Sequence, residues 1–166
     1  MHTKWAFSAR YVDTDLERPR WRTTAAYRFL PTVQAGFEWN PVANEIVPNG
    51  TWFFLSEKGR RPAAFFGTSS DRIGSPEGTR AYFLTAAKNI DPVPASIYVS
   101  LNYSEWDEGW NLPFGANVEV VPRVTIQPMY DGHRTHLLAT YAGDRYSVTA
   151  IYAWLESAGV AVSVGF

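Results

Sequence analysis

With 166 residues and a formal net charge of −1, 15 basic side chains against 16 acidic, the chain reads as one domain over 1–166 without a nucleic-acid footprint. It has no cysteine, which excludes disulfides, thiolate nucleophiles and cysteine-based metal sites; aromatics reach 16%, with 7 Trp and 9 Tyr. No run approaches the roughly 18 consecutive apolar residues of a transmembrane helix.

Helical periodicity is hard to find and alternation recurs. The opening MHTKWAFSAR shows no charged-then-apolar leader, so export would rest on a signal peptide absent from this sequence. Over 4–12, Trp5, Phe7, Ala9 and Tyr11 share one face opposite Ser8 and Arg10. The polar stretch 13–20 (DTDLERPR) predicts a loop. Over 21–29, Trp21, Thr23, Ala25, Tyr27 and Phe29 oppose Arg22, Thr24, Ala26 and Arg28; after a tight turn at 30–32, Val33, Ala35, Phe37 and Trp39 oppose Gln34, Gly36 and Glu38. The segment 40–50 (NPVANEIVPNG) holds two prolines and predicts a loop around an extended piece. Strands follow at 51–57, where Trp52, Phe53, Phe54 and Leu55 in succession leave the outward face unassigned, then at 63–69 and 79–88. Turns or loops at 58–62, 70–78 and 89–94 separate them.

The last third alternates cleanly. Ile97, Val99, Leu101 and Tyr103 oppose Tyr98, Ser100, Asn102 and Ser104; Leu112, Phe114, Ala116, Val118 and Val120 oppose Gly115, Asn117 and Glu119. Val124, Ile126, Pro128 and Tyr130 oppose Arg123, Thr125 and Gln127. A strand at 135–141 leads through the turn AGDR to Tyr146, Val148, Ala150, Tyr152 and Trp154. The chain closes on AGVAVSVGF, with Val160, Val162, Val164 and Phe166 on one face.

The expected fold is all-β: about twelve strands in a single up-and-down antiparallel transmembrane β-barrel. A sandwich needs longer crossing connections. A soluble barrel of twelve strands would leave a lumen too wide for side chains to fill. A membrane barrel turns its apolar face to lipid and keeps a polar interior, which explains charges recurring on the second face of so regular a pattern.

Ending on an alternating strand and a terminal Phe166, the chain resembles bacterial outer-membrane β-barrels of the porin-like class. That resemblance implies residence in the bacterial outer membrane, with outer-membrane lipid around the barrel. It also implies recognition by the barrel-insertion machinery through the strand ending in Phe166. With both termini periplasmic, the connections at 13–20, 40–50, 70–78, 105–111, 131–134 and 156–158 face outside. They are short, and none is expected to fold inward as a plug.

The expected lumen set is Arg10, Arg22, Arg28, Glu38, Arg80, Asn102, Glu119 and Arg123, with Lys88 added to the basic group. Inward charges of this kind set the electrostatics of a pore, or neutralise one another in a narrow one. The expected aromatic girdles are Trp5, Tyr11, Trp21, Phe29, Trp39, Tyr103, Tyr130, Tyr146 and Trp154 at strand ends. His133, His136 and Asp131 surround one outer loop, and Ser69, Ser70 and Asp71 another; neither spacing makes a metal or hydrolase motif. No catalytic residue, metal or cofactor is expected, and the chain is not read as an enzyme. The function expected is a small passive channel with slight anion preference, with small solutes as its cargo. The alternatives are a closed structural or export-accessory barrel and a soluble β-barrel binding an apolar ligand.

Overall fold

Strict alternation closes into a wall. The computed structural model describes residues 4–165, and Phe166, with the recognition expected of it, lies outside them. The strands are β1 (Trp5–Val12), β2 (Trp21–Leu30), β3 (Val33–Asn40), β4 (Glu45–Leu55), β5 (Ala63–Ser70), β6 (Arg80–Asn89), β7 (Ala95–Ser104), β8 (Gly109–Asn111), β9 (Phe114–Val121), β10 (Val124–Tyr130), β11 (Thr135–Ala142), β12 (Tyr146–Ala153) and β13 (Ser157–Gly165). Each pairs antiparallel with its neighbour, β6 joins β7, and β13 returns to β1 with Val162 opposite Ala9. The result is a closed barrel of twelve strands plus the short β8, which removes the free sheet edges that would otherwise invite aggregation.

β8 and β9 both pair with β7, so they are one strand interrupted at Leu112 and Pro113. A proline cannot donate to the ladder, and the chain steps out and back there. The carbonyl of Pro113 still accepts from the Ser100 N–H at 2.8 Å.

The two faces separate as the alternation predicts. Phe37, Trp52, Phe66, Leu84, Ile97, Leu101, Phe114, Val160 and Val162 are exposed around the outer wall. The inner wall carries Glu38, Thr85, Ser100, Asn102, Ser104 and His136, all buried. Hydroxyl and amide pairs bridge neighbouring strands on it, Thr85 to Ser100 at 2.7 Å, Thr140 to Thr149 at 2.8 Å and Asn102 to Asn111 at 3.1 Å. Buried polar groups are stable only when partnered in this way. Where large rings enter the lumen, glycines face them: a side chain at Gly67 would strike the Phe83 ring, and one at Gly115 the Tyr98 hydroxyl.

Two expected loops differ. β4 begins at Glu45, well inside the predicted loop 40–50, because Val47 and Glu45 are buried inward while Ile46 points out. Pro48 is tolerated because β4 pairs there with β3 only; its pairing with β5 stops at Gly50 opposite Thr68. Within the predicted loop 13–20 lies a single helical turn, α1 (Glu17–Arg20).

The connection between β5 and β6 departs most from expectation. It folds inward across the mouth at the end of the barrel away from the termini. Asp71 and Ser75 are buried, and Ile73 packs against Val12, Ile151 and Ala153 on the opposite wall. A polar, proline-containing segment looked like a solvated loop. Its one apolar side chain, Ile73, finds the small apolar patch inside the barrel and anchors a plug.

Candidate functional site

The plug is held from two sides. From α1, the Arg18 guanidinium donates to the Ser75 hydroxyl and the Ser75 and Pro76 carbonyls. It also donates to Thr79 Oγ1 at 2.9 Å and the Thr79 carbonyl at 2.8 Å. Its Nε meets Glu45 Oε2 at 2.8 Å, both side chains 8% exposed, and Glu45 in turn accepts from the Gly78 N–H. An isolated buried charge is expensive; here a charge pair and several carbonyls satisfy it.

On the far side, the Arg72 guanidinium carbon lies over the Trp106 ring, 4.1 Å from its centroid, and the side chain donates through both Nη atoms to Asp107. His133 Nε2 is 2.8 Å from the same carboxylate. Asp71 accepts from Ser104 Oγ at 2.6 Å and from the Arg72 N–H at 2.7 Å. The mouth away from the termini is thus tied across by groups from four connections.

The Asp107 carboxyl is held down at about 2, chiefly by the hydrogen bond from Arg72, against partial burial and with help from His133 and Ser104. A depressed carboxyl contributes its stabilisation fully above the unfolded value near 4 and loses it as pH falls toward 2. The Arg72–Asp107 tie is therefore constant from pH 5 upward and fails between about pH 4 and 2. At neutral pH, Asp107→Asn should expose the Arg72 peptide bond to trypsin about fivefold faster than in the parent, roughly 1 kcal/mol after discounting for partial exposure. Equal cleavage rates would remove Asp107 from the plug's support.

Between the plug, α1 and the wall lies a space of about 10 Å³ among Arg10, Arg18, Arg22, Asp71 and Arg72, about enough for a single water. Beside it is a chamber of about 510 Å³, lined among others by Ser8, Arg10, Arg22, Phe83, Asn102, Met129, Leu138, Ile151 and Ser163. Thr85, Tyr98 and Ser100 join this chamber to a second space of about 330 Å³, and Ser96 and Asn117 join that one to a third of about 370 Å³ among the terminus-side turns. The spaces follow one another from the plugged end toward the terminus-side turns.

The expected lumen residues divide. Arg10 and Arg22 are directly opposite one another on β1 and β2 and line the chamber. Arg22 reaches Glu38 at 3.4 Å, and Ser70 also donates to Glu38. Arg10 makes no hydrogen bond or ion pair among the described residues, and its Nε is buried without a partner. Asn102 faces the chamber and bonds Asn111. Arg28 is exposed near the terminus-side mouth. Glu119 and Arg123 share that rim, where Glu119 accepts the Arg123 N–H at 3.0 Å and Arg123 pairs with Asp144 at 2.9 Å.

Arg80 corrects the lumen assignment. It sits on the face of β6 that carries Tyr82 and Leu84, and donates to the Pro48 carbonyl at 3.0 Å and Thr68 Oγ1 at 3.2 Å. It therefore bridges, from outside, the seam where β4 and β5 part. Lys88 shares that face and pairs with Glu57.

Among the girdle residues, Trp5, Trp21, Phe29, Trp39 and Tyr146 are exposed on the outer wall. Tyr11 meets Trp21 and Tyr130 meets Phe114 at a tilt, and Tyr103 meets Trp110 edge to face. Trp154 is the exception. Its positive φ of 57° places it in a turn, and its ring swings inward against the Ile73 and Val12 cluster. Trp110, 67% exposed, occupies the outer rim that the sequence reading left unassigned.

The histidines do not form a catalytic pair. His136 Nδ1 accepts from the Trp154 N–H at 3.1 Å and Nε2 meets Asp131 at 2.7 Å, so both ring nitrogens are engaged. Burial works against the Asp131 charge, but the His136 hydrogen bond and the N–H groups of Arg134 and His133 outweigh it and hold the carboxyl low. The arrangement ties the β10–β11 turn to the β12–β13 turn. Among the described residues no group of three or more His, Asp or Glu side chains is placed to hold a metal ion.

No protein-family model and no curated protein matches the sequence. Among solved structures, the chain is similar to one described as KdgM porin, with a TM-score of 0.64 at 11% identity, covering 98% of this chain and 99% of that one. The likeness is one of fold: this chain is a closed antiparallel barrel with the architecture of that porin.

Proposed function

We propose that the protein is a small-solute channel of the bacterial outer membrane whose outer mouth its own β5–β6 connection holds closed. The observation that carries this reading is the barrel's polarity. Apolar side chains face outward around the wall, while the inward faces carry Glu38, Thr85, Ser100, Asn102 and Ser104 beside a small apolar patch. A soluble barrel would turn its apolar face inward. A porin-like neighbour over nearly the whole chain supports a channel rather than an enzyme.

The basic lumen is narrower than the sequence implied: Arg10 and Arg22 are its core, and Arg28 stands near the inner mouth. Passage is passive, with anions favoured beside Arg10, which has no counter-charge bound to it among the described residues. The plug is also the observation that favours a second reading, a permanently closed structural barrel. Planar-bilayer recordings separate the two. A channel gives intermittent ohmic steps in the parent, and Arg10→Glu with Arg22→Glu moves the reversal potential in a salt gradient toward cations. Silence in the parent and in variants that release the plug would establish the structural barrel instead.

A further inference from the structure

The chamber beneath the plug has two unlike features side by side. One is Arg10, whose guanidinium has no hydrogen-bonding or ionic partner among the described residues and whose Nε is buried. The other is an apolar wall. Ala161 is the direct partner of Arg10 on β13, and the patch continues through Ile151 and Leu138 to Ile73 of the plug. Neighbouring strands lie about 4.8 Å apart, so this wall extends roughly 10–15 Å sideways from the arginine.

The other charges lining the chamber are already satisfied. Arg22 bonds Glu38 and Ser70, Arg72 bonds Asp107, Asp71 accepts from Ser104 and the Arg72 N–H, and Asp131 is bonded to His136. Arg10 is the one full charge left over. A guanidinium in a shielded site calls for a planar oxyanion, which it binds bidentately. The cavity, about 510 Å³, is the size of a small-molecule pocket. A purely polar anion would leave Ile73, Leu138, Ile151 and Met129 facing water; an uncharged apolar molecule would leave Arg10 unpaired.

We infer that the chamber is a binding site for small carboxylates with an apolar body, aromatic or branched aliphatic, held by Arg10 at the head and the Leu138–Ile151 wall at the tail. This rests on the channel reading for its physiological sense, since such a solute would pause here in transit. The binding itself does not need transport.

The test is calorimetric titration of the folded full chain in detergent micelles, with no current measured. The probes are 4-methylbenzoate, its uncharged amide, and glucuronate, which has the same charge on a polar body. The expected result is that 4-methylbenzoate binds at least about tenfold more tightly than either of the others, the scale of one charge-assisted hydrogen-bond pair. Arg10→Met should abolish the advantage of acid over amide. Leu138→Asn should abolish the advantage of 4-methylbenzoate over glucuronate. Arg123→Gln, at the far rim, should change neither. If Arg10→Met does not fold, Arg10→Gln supplies the same comparison.

Acid and amide binding alike to the parent would overturn the site and mark mere partition into micelles, and an acid preference that survives loss of Arg10 would overturn it by placing the carboxylate on another cation such as Arg22. Glucuronate binding as tightly as the methylbenzoate would overturn the apolar half. Silence in bilayers with intact binding would defeat the channel and leave the site standing; steps without binding would do the reverse.

Discussion

Replacing Arg18 with Met should turn an intermittently conducting barrel into a steadily open one. Arg18 is the one side chain that reaches Ser75, Pro76 and Thr79 together, and its pairing with Glu45 is almost fully buried. Breaking a buried ion pair by removing one partner costs about 3–5 kcal/mol. Here the cost falls on the closed state, in which Glu45 would stay buried without its cation. The open-to-closed ratio should therefore rise by about two to four powers of ten. Arg20→Met is the control, because none of the hydrogen bonds and ion pairs of Arg20 among the described residues reaches the 71–79 connection: its Nε donates to the Thr14 carbonyl at 2.8 Å and its guanidinium lies 3.8 Å from an exposed Asp15. If Arg18→Met folds poorly, shortening the loop by Arg72 to Glu77 removes the anchor Ile73 and the Arg72 tie while leaving Arg18 and Glu45 paired. Conductance unchanged in both variants would mean that the 71–79 connection does not gate the lumen.

The second large effect concerns the wall. Val162 and Ser163 are adjacent on β13, yet Val162 is 45% exposed on the apolar face, while Ser163 lines the chamber. An arginine on the lipid face near the bilayer midplane costs roughly 2–4 kcal/mol, whereas a wet lumen tolerates it. Val162→Arg should therefore lower the yield of folded barrel in lipid vesicles far more than Ser163→Arg, as read by heat-modifiable gel migration. The reverse order would mean that the two faces have been exchanged.

The alternation of Trp5, Phe7, Ala9 and Tyr11 against Ser8 and Arg10 was enough to place β1, and the same held for most strands after β6. A membrane barrel puts one environment on each face along its full height, so period two survives even without help from neighbouring chain. Prolines hid the rest. Pro48 made the start of β4 look like loop, and Pro113 split a strand that reads as continuous. Both are tolerated where the ladder is already broken, a tertiary fact that no local pattern carries.

The site was less legible. Arg10, Arg22, Glu38 and Asn102 follow from alternation alone. Arg80 lies at a strand end, where one residue decides between lumen and outer wall, and the parting of β4 from β5 draws it outward. Trp154 fails for a related reason, since a left-handed turn reverses the direction that the strand pattern assigns. The plug was invisible because its ties are long-range: Arg18 and Ser75 are 57 residues apart, and Arg72 and Asp107 are 35 apart. In hindsight the one local signal was Ile73, a lone branched apolar residue in the middle of SDRIGSPEG.

The central claim is that the outer wall is built for lipid, and folding of the unmodified chain tests it most directly. Urea-unfolded protein would be diluted in parallel into plain buffer and into phospholipid vesicles, then scored by strand content in circular dichroism and by gel migration before and after heating. The account predicts a compact, heat-modifiable barrel with vesicles, and aggregation or incomplete folding without them. A stable, monomeric β-barrel formed in buffer alone would contradict it.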